Sequence, residues 1–233
     1  MVDLNAEMAE LWASLNAPSQ GRGRVIQVMA ARRGEGTSTV ARELAHFAAG
    51  RGARSVWLVD ADLLASPQAA AIAKQAHRYG ALGETVSASP DGSMFFTVRP
   101  PAKAPGGEAW PDAWFMAGHR VGAARWWVTR FRREALNGQQ SVHIVPSPAY
   151  WDALRQRADL IIVDTPSPER SQAGLTLARF MDQTVMVVAA DEADVRAPVE
   201  LRDAVAAAGG SVTGVFLNRA SVHEPAFLKA LLP

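Results

Sequence analysis

The sequence contains no cysteine, which excludes disulfide bonds, thiolate metal ligands and cysteine nucleophiles. It also has no apolar run near the roughly 20 residues that a membrane-spanning helix requires. Its first ten residues, MVDLNAEMAE, carry acidic side chains where a secretory signal peptide carries lysine or arginine. We therefore expect a cytoplasmic protein with no membrane span of its own.

An excess of charge of one sign is also missing, because 24 lysines and arginines face 23 aspartates and glutamates. The net charge of +1 gives no bulk attraction to a polyanion, so we do not expect nucleic acid as a partner. What is present is a hydrophobic fraction of 48% over 233 residues, enough for a sizeable core. This length suits one large domain, or one domain with an insertion.

Nearly continuous apolar runs alternate with helical patterns along most of the chain. The predicted strands are 24–30, 55–59, 160–163, 184–188 and 212–217, and the predicted helices are 38–50, 170–181 and 194–208. Strands that are apolar on both faces are typical of a parallel sheet covered by helices on both sides. The alternation therefore predicts a doubly wound, mostly parallel α/β sheet.

The N-terminal residues 1–22 stand apart from this alternation. Apolar residues recur at helical spacing over 4–15, and a flexible Gly-containing break follows up to residue 22. This helix either packs on its own domain or docks on a partner. The remaining residues, 23–233, are predicted to form one domain.

Residues 83–140 interrupt the alternation, and we interpret them as an inserted segment rich in proline, tryptophan and arginine. Four of the seven tryptophans lie here, together with seven lysines and arginines. Short strands are predicted at 94–98 and 126–131. Aromatic side chains beside arginines either bind single-stranded nucleic acid or an anionic sugar, or form a small satellite core with a solvated rim.

The segment 31–38, ARRGEGTS, lies between a predicted strand and a predicted helix, which is the layout of a phosphate-binding loop. Main-chain N–H groups from Gly34 to Ser38 would form a nest for phosphate oxygens at the start of the helix. The Ser38 hydroxyl stands where this loop provides a magnesium ligand, and Thr37 stands where it provides lysine. The sequence therefore predicts a P-loop NTPase-like domain whose loop lacks its main positive charge.

Three aspartates follow predicted strands at the edge of the sheet where this loop lies. Asp60 and Asp62 come at the end of the second strand, and Asp164 follows strand 160–163. Carboxylates at this edge can hold magnesium or orient a water molecule. We therefore predict a magnesium site made by Ser38, Asp60 and Asp164, with Asp60 and Asp62 as catalytic residues if the protein is active.

These motifs resemble the deviant Walker A ATPases of the MinD/ParA class, and more closely the bacterial tyrosine kinases (BY-kinases) and their relatives in exopolysaccharide export. The resemblance is carried by 31–39 (ARRGEGTST), 58–63 (LVDADL) and 161–166 (IIVDTP), and it covers about 25–64 and 158–220. It implies that ATP or ADP binds with Mg²⁺ and that Asn218 contacts adenine. The implied cofactor-binding residues are Gly34, Glu35, Gly36, Thr37, Ser38, Thr39, Asn218 and Arg219.

The departures from this resemblance bear on catalysis. Leu64 stands where the kinases usually have arginine, and the N-terminal helix lacks the arginines of their subunit-contact motif. The C-terminal segment 222–233 has no tyrosine, whereas the kinases carry a tyrosine-rich tail as their own substrate. Loss of the loop lysine is expected to weaken nucleotide binding about 10- to 100-fold and to slow phosphoryl transfer about 10²- to 10³-fold. Arg32, at the position of the class's signature lysine, or Arg33 is the candidate replacement.

Four functions follow from this pattern. The favoured one is a catalytically impaired, regulatory or structural partner of a membrane-embedded polysaccharide co-polymerase, as in holdfast-type systems, peripheral to the inner membrane through that partner. The second is an active ATPase that uses Arg32 or Arg33 and cycles between monomer and dimer, for which the apolar segment 225–232 is a weak membrane-targeting candidate. The others are an autokinase that phosphorylates Tyr79 or Tyr150 and a fold remnant that binds a partner without nucleotide.

Overall fold

The computed structural model describes residues 4–15, 21–51, 55–102, 107–191 and 194–220. Its strands are Arg24–Ala30 (β1), Val56–Asp60 (β2), Leu82–Ser87 (β3), Phe96–Arg99 (β4), Met116–Val121 (β5), Trp126–Phe131 (β6), Ser141–Ile144 (β7), Leu160–Asp164 (β8), Gln183–Ala189 (β9) and Val212–Asn218 (β10). Its α-helices are Asn5–Leu15 (α1), Thr37–Ala49 (α2), Pro67–Lys74 (α3), Ala76–Tyr79 (α4), Pro148–Arg155 (α5), Ala173–Leu177 (α6) and Arg196–Ala207 (α7).

Eight strands form one sheet in the order β10-β9-β1-β8-β2-β6-β5-β3. The strands from β10 to β6 run parallel, and β5 and β3 complete the sheet as antiparallel neighbours. The predicted doubly wound, mostly parallel α/β sheet is therefore confirmed. Its five predicted parallel strands are all present, with bounds that move by at most one residue at an end.

Helices cover both faces of the sheet. On one face α1, α2 and α3 bury residues such as Met8, Leu44 and Ile72 against the strands. On the other face α5 and α6 contribute residues such as Trp151 and Leu177, while α7 packs in a third cluster. Burial of these apolar faces is the main favourable term for the fold, at about 25 cal/mol per Å² removed from water.

Helix α1 packs on its own domain. Met8, Leu11 and Leu15 are buried in the same cluster as α2 and the central strands, and Trp12 packs against that cluster. In this structure the N-terminal helix therefore lies against its own domain, and both the domain division and a contact with a partner stay predictions. Of the following linker, residues 16–20 lie outside the described part of the chain.

The insertion extends the main sheet and does not form a satellite. Strand β6 pairs with β2, and β5 and β3 follow it outward, while β4 and β7 form a separate two-stranded sheet. The insertion's aromatic residues Phe96, Phe115 and Phe131 share one buried cluster with Val25 and Ile161 of the central strands. The prediction of a separate satellite core was wrong, because these rings are needed to cover the second face of the sheet.

The predicted helix 170–181 was also too long. The α-helix is confined to Ala173–Leu177, and a 3₁₀ turn, Ala178–Phe180, follows it. The residues before it form a loop in which Pro166 and Pro168 disfavour helical geometry for themselves and their predecessors. This loop lies at the carboxyl end of β8, next to the phosphate-binding loop.

No helix in the described ranges combines the length and apolar character that crossing a bilayer requires. The segment 225–232, considered above as a membrane-targeting candidate, lies outside the described residues.

Candidate functional site

The loop between β1 and α2 has the backbone geometry that phosphate binding requires. Gly34 and Gly36 have φ angles of +90° and +100°, which residues with a side chain rarely adopt. A Cβ atom on Gly36 would also lie 2.1 Å from the Asn218 amide nitrogen, so no larger residue fits there. The two glycines turn the chain so that the first residues of α2 follow the loop directly.

Side chains of the loop itself and of the end of β10 hold this loop in place. The buried Glu35 carboxylate accepts hydrogen bonds from the main-chain N–H groups of Arg32, at 2.7 Å, and Ala189, at 3.3 Å. The Asn218 amide donates to the Glu35 carbonyl oxygen at 2.7 Å, and the Arg219 guanidinium donates to the Gly34 carbonyl oxygen. These predicted residues therefore reach the loop, where they shape its backbone.

The first amides of α2 remain available to a ligand. Helical N–H groups in the first turn have no partner within the helix. The amides of Thr37 and Ser38 belong to this turn, and they donate to no described residue. Such a helix start attracts anions through its N–H groups and its dipole.

A pocket of about 220 Å³ opens in front of these amides. It brings together most of the predicted site residues with several from the loop after β8. Its lining consists of Arg32, Arg33, Gly34, Gly36, Thr37, Ser38, Thr39, Asp62, Asp164, Thr165, Pro166, Ser167 and Arg170. Three predicted residues, Glu35, Asn218 and Arg219, support the loop from outside this lining. Asp60 also lies outside it.

Asp60 lies behind the pocket, in the sheet. Its side chain is fully buried, and its two oxygens accept hydrogen bonds from the N–H groups of Asp62, at 3.1 Å, and Gln68, at 2.9 Å. Burial and the neighbouring Asp164 carboxylate raise the pKa of Asp60 well above its usual value. In this arrangement Asp60 fixes the turn that carries Asp62 and the start of α3, and it is buried outside the pocket lining.

The two carboxylate oxygens of Asp164 differ in their contacts. The Gln68 amide donates to Asp164 Oδ2 at 2.6 Å, whereas Oδ1 is buried and accepts no hydrogen bond from the described residues. Burial raises the pKa of Asp164 to about 6, while the nearby Ser38 hydroxyl and the hydrogen bond from Gln68 act in the opposite direction. Gln68 Nε2 also donates to the Ser38 carbonyl oxygen at 2.8 Å, which ties the carboxylate to the start of α2.

The donor set suits a magnesium ion. Magnesium prefers oxygen ligands and keeps several of its water molecules. Ser38 and Asp164 both line the pocket, and a metal-bound water would satisfy the unpartnered buried oxygen of Asp164. The residues present therefore fit the predicted ion through Ser38 and Asp164, with Asp60 in a supporting position.

The pocket contains cations although its loop lacks lysine. The Arg32 guanidinium pairs with the Asp194 carboxylate. Arg33 also lines the pocket, and its main-chain N–H donates to the Glu169 carboxylate at 3.0 Å. Arg170, which sequence reasoning missed, lies 2.6 Å from the Asp62 carboxylate. Arg170 could have been proposed from the sequence, because it is a cation in the loop that follows Asp164 at the end of β8.

The two tyrosines that an autokinase would use are buried. The Tyr79 hydroxyl donates to the Glu43 carboxylate at 2.5 Å, and the Tyr150 hydroxyl is buried without a partner among the described residues. Burial raises the pKa of both phenols, and for Tyr79 the hydrogen bond with Glu43 adds to this effect. Neither hydroxyl lines the phosphate pocket.

Solved structures with the same topology identify the fold. The kinase domain of the Escherichia coli tyrosine kinase ETK matches 95% of this chain and 78% of its own, with 16% identity and a TM-score of 0.54. The chain has the fold of these P-loop proteins. The VpsO kinase domain matches 94% of this chain and 93% of its own, with 19% identity and a TM-score of 0.55.

MinD-type ATPases share this fold as well. The septum site-determining protein MinD of Pyrococcus horikoshii, solved as a complex with Mg-ADP, matches 88% of this chain and 75% of its own. Its identity is 14% and its TM-score is 0.56. No protein-family model and no curated protein sequence matches this chain. The predicted likeness to MinD-class and BY-kinase proteins is therefore confirmed at the level of fold.

Proposed function

We propose that the protein binds ADP or ATP with Mg²⁺ in the pocket at the start of α2 and acts as a regulatory or structural subunit. The observation that carries this proposal is the open pocket, whose lining combines the free main-chain donors at the start of α2 with Asp164 and Ser38. The P. horikoshii MinD complex with Mg-ADP supports the choice of ligand. Asn218, which already contacts the loop, is the residue proposed to meet adenine.

Catalysis is proposed to be weak because Thr37 supplies no charge to the phosphates. A charge-assisted hydrogen bond contributes about 1.5–3 kcal/mol, so main-chain donors alone should still hold nucleotide, with lower affinity. Phosphoryl transfer loses more, since the missing cation would act on charge that develops in the transition state. Nucleotide binding would then control assembly, with little turnover.

Phosphorylation of the protein's own tyrosines is not part of this proposal. Both hydroxyls are inside the fold, and the strands or helices around them would have to separate before a phosphate could approach. A tyrosine kinase fold with buried tyrosines and no loop lysine supports a pseudokinase role.

The partner we propose is a membrane-embedded polysaccharide co-polymerase in an exopolysaccharide export system, reached from the cytoplasmic side. Support comes from the fold shared with the kinase domains of ETK and VpsO and from the sequence motifs that resemble the exopolysaccharide branch. A homo-oligomer on that partner is compatible with the exposed position of Arg32 and Asp194.

The first test is thermal unfolding of the wild type and of Thr37→Lys with ADP-Mg and ATP-Mg. We expect a rise of Tm in both proteins and a larger rise in Thr37→Lys, because the added ammonium group contacts the same phosphates. A rise in Thr37→Lys alone would show that the natural chain has lost its nucleotide. No rise in either would show that the loop does not bind phosphate.

An active ATPase is the alternative, and the position of Arg33 favours it. Its side chain lines the pocket and has no acidic partner among the described residues, so it is available to a phosphate. Phosphate release measured for the wild type, Arg33→Ala and Asp164→Ala separates the two functions. Turnover that both substitutions abolish would support the ATPase, and no turnover in any of the three would support the regulatory subunit.

A further inference from the structure

A second and larger cavity lies beside β2, β3 and β6 and shares no lining residue with the phosphate pocket. Its volume is about 640 Å³, within the range of roughly 300–1,000 Å³ that is usual for small-molecule sites. Ser55 and Arg125, at the amino ends of β2 and β6, belong to its lining, and residues 86–90 form another side. None of the functions discussed above uses this cavity.

Two tryptophans in register form an aromatic wall of the cavity. Trp57 of β2 pairs with Trp127 of β6, and their rings are stacked with centroids 5.8 Å apart and an interplanar angle of 10°. Both side chains are only half-buried. Gly118 on β5 allows this arrangement, since a Cβ atom there would lie 3.0 Å from two atoms of the Trp57 ring. The pair therefore gives the cavity a partly exposed aromatic wall.

The charged residues of the cavity are all cations. Arg125 and Arg157 are exposed, both line the cavity, and neither side chain has an acidic partner among the described residues. Among the described residues, no aspartate or glutamate is part of the lining. The guanidinium groups thus retain their full capacity for bidentate pairing with a carboxylate.

We propose that this cavity binds a sugar bearing a carboxylate, with the sugar ring against Trp57 and Trp127 and the carboxylate on Arg125 or Arg157. Aromatic side chains beside unpaired guanidinium groups favour a ligand with an apolar ring face and a fixed negative charge. The size of the cavity admits a few rings at most. A nucleic acid strand is disfavoured because the net charge of +1 provides no extended track for its phosphates.

Isothermal titration of the full chain with tetragalacturonate tests this proposal. Maltotetraose serves as the neutral control, and a dT4 oligonucleotide serves as the anionic control with bases. We expect tetragalacturonate to bind, maltotetraose to bind at least tenfold more weakly, and dT4 not to compete. Absence of tetragalacturonate binding up to 10 mM, or tighter binding of dT4, would overturn the proposal.

Substitutions then locate the site. Arg125→Ala and Arg157→Ala are each expected to weaken tetragalacturonate binding about tenfold, because each removes one charge-assisted contact. Arg202→Ala on α7, an exposed arginine whose partner is Asp203, is the matched control and should leave binding unchanged. Equal affinity in all three variants and the wild type would place the ligand elsewhere and contradict the proposal.

The same variants keep this proposal separate from nucleotide binding. Arg125 and Arg157 are exposed, so their replacement should leave Tm in the absence of ligand within about 1–2 °C of the wild type. The Tm shift produced by ADP-Mg should be unchanged in both. Failure of the sugar titration with a normal ADP response would reject only the second site.

Discussion

Arg170 and Asp62 form an ion pair within the lining of the phosphate pocket, with nitrogen and oxygen 2.6 Å apart. Both side chains are partly exposed, at 39% and 12%. An exposed pair of this kind contributes little to stability, so its interest lies in where it places a cation. A bound phosphate would compete with Asp62 for the Arg170 guanidinium. Arg170 would then supply part of the positive charge that the loop lacks at Thr37.

Replacing Arg170 with alanine is therefore expected to weaken ADP-Mg binding about three- to tenfold, a range kept low because solvent screens the charge. Asp62→Asn is expected to strengthen binding by a similar factor, since it removes both a competitor for Arg170 and a negative charge beside the phosphates. Isothermal titration measures both.

Arg202→Ala provides the control for a lost surface arginine in this comparison. If Arg170→Ala binds ADP-Mg as the wild type does, the ion pair is a surface contact without a role in the site. Weaker binding by Asp62→Asn would instead assign Asp62 to the ligand.

At the scale of elements, α1 is held by apolar burial. Met8 and Leu15 are each 1% exposed, and they face α2 and the central strands. Truncation of either side chain to alanine should destabilise the protein by about 2–4 kcal/mol, through the lost transfer energy and the cavity left behind. Urea unfolding measures this difference.

Glu10→Ala on the exposed face of α1 is the control and should change stability by less than about 0.5 kcal/mol. A small effect for Met8→Ala or Leu15→Ala would mean that α1 does not pack on this domain in solution. The interpretation of α1 as a docking helix would then regain support.

The elements that the sequence predicted well are those whose pattern depends on burial alone. The parallel strands β1, β2, β8 and β9 are rich in apolar residues because helices cover both of their faces. Strand β10 was predicted from the same kind of run, although its Val215 and Leu217 are exposed. The antiparallel strands β3 and β5 lacked such a run, and β3 is mostly exposed at the edge of the sheet. Their pairing depends on tertiary contacts that no local pattern specifies.

The same distinction applies to the site. Gly34, Gly36 and Ser38 could be proposed from the sequence because a loop that binds phosphate requires these residue types at that spacing, and Asp164 because an apolar strand ends at it. Gln68 was not predictable, since nothing in its local sequence indicates that its amide contacts Asp164. The position of Asp60 outside the pocket was not predictable either, because the hydrogen bonds that hold its oxygens, from the N–H groups of Asp62 and Gln68, depend on the tertiary fold.

At the scale of the whole molecule, the buried carboxyls couple stability to pH. Asp164 releases its proton near 3.8 in the unfolded chain and near 6 in the folded protein. Between these values the folded state holds more protons, so the contribution of Asp164 to stability falls as pH rises through this window and stays low above it.

Asp164→Asn removes this titration, and its stability relative to the wild type should rise as pH increases from 4 to 7. Urea unfolding of both proteins without nucleotide or Mg²⁺ at several pH values gives the difference directly. A difference that is independent of pH would contradict the raised pKa. The comparison cancels the contributions of carboxylates that do not interact with Asp164, whereas Asp60, whose pKa the Asp164 carboxylate raises, contributes to the difference.

The enclosure of Tyr79 and Tyr150 also has a practical meaning for the intact protein. These are its only two tyrosines, and each ring is packed on all sides by neighbouring side chains. Reagents that iodinate or nitrate phenols react with accessible rings. They would therefore label a tyrosine of this protein only while the structure around its ring is open. The rate of tyrosine labelling would therefore measure how often the protein opens locally around these two rings.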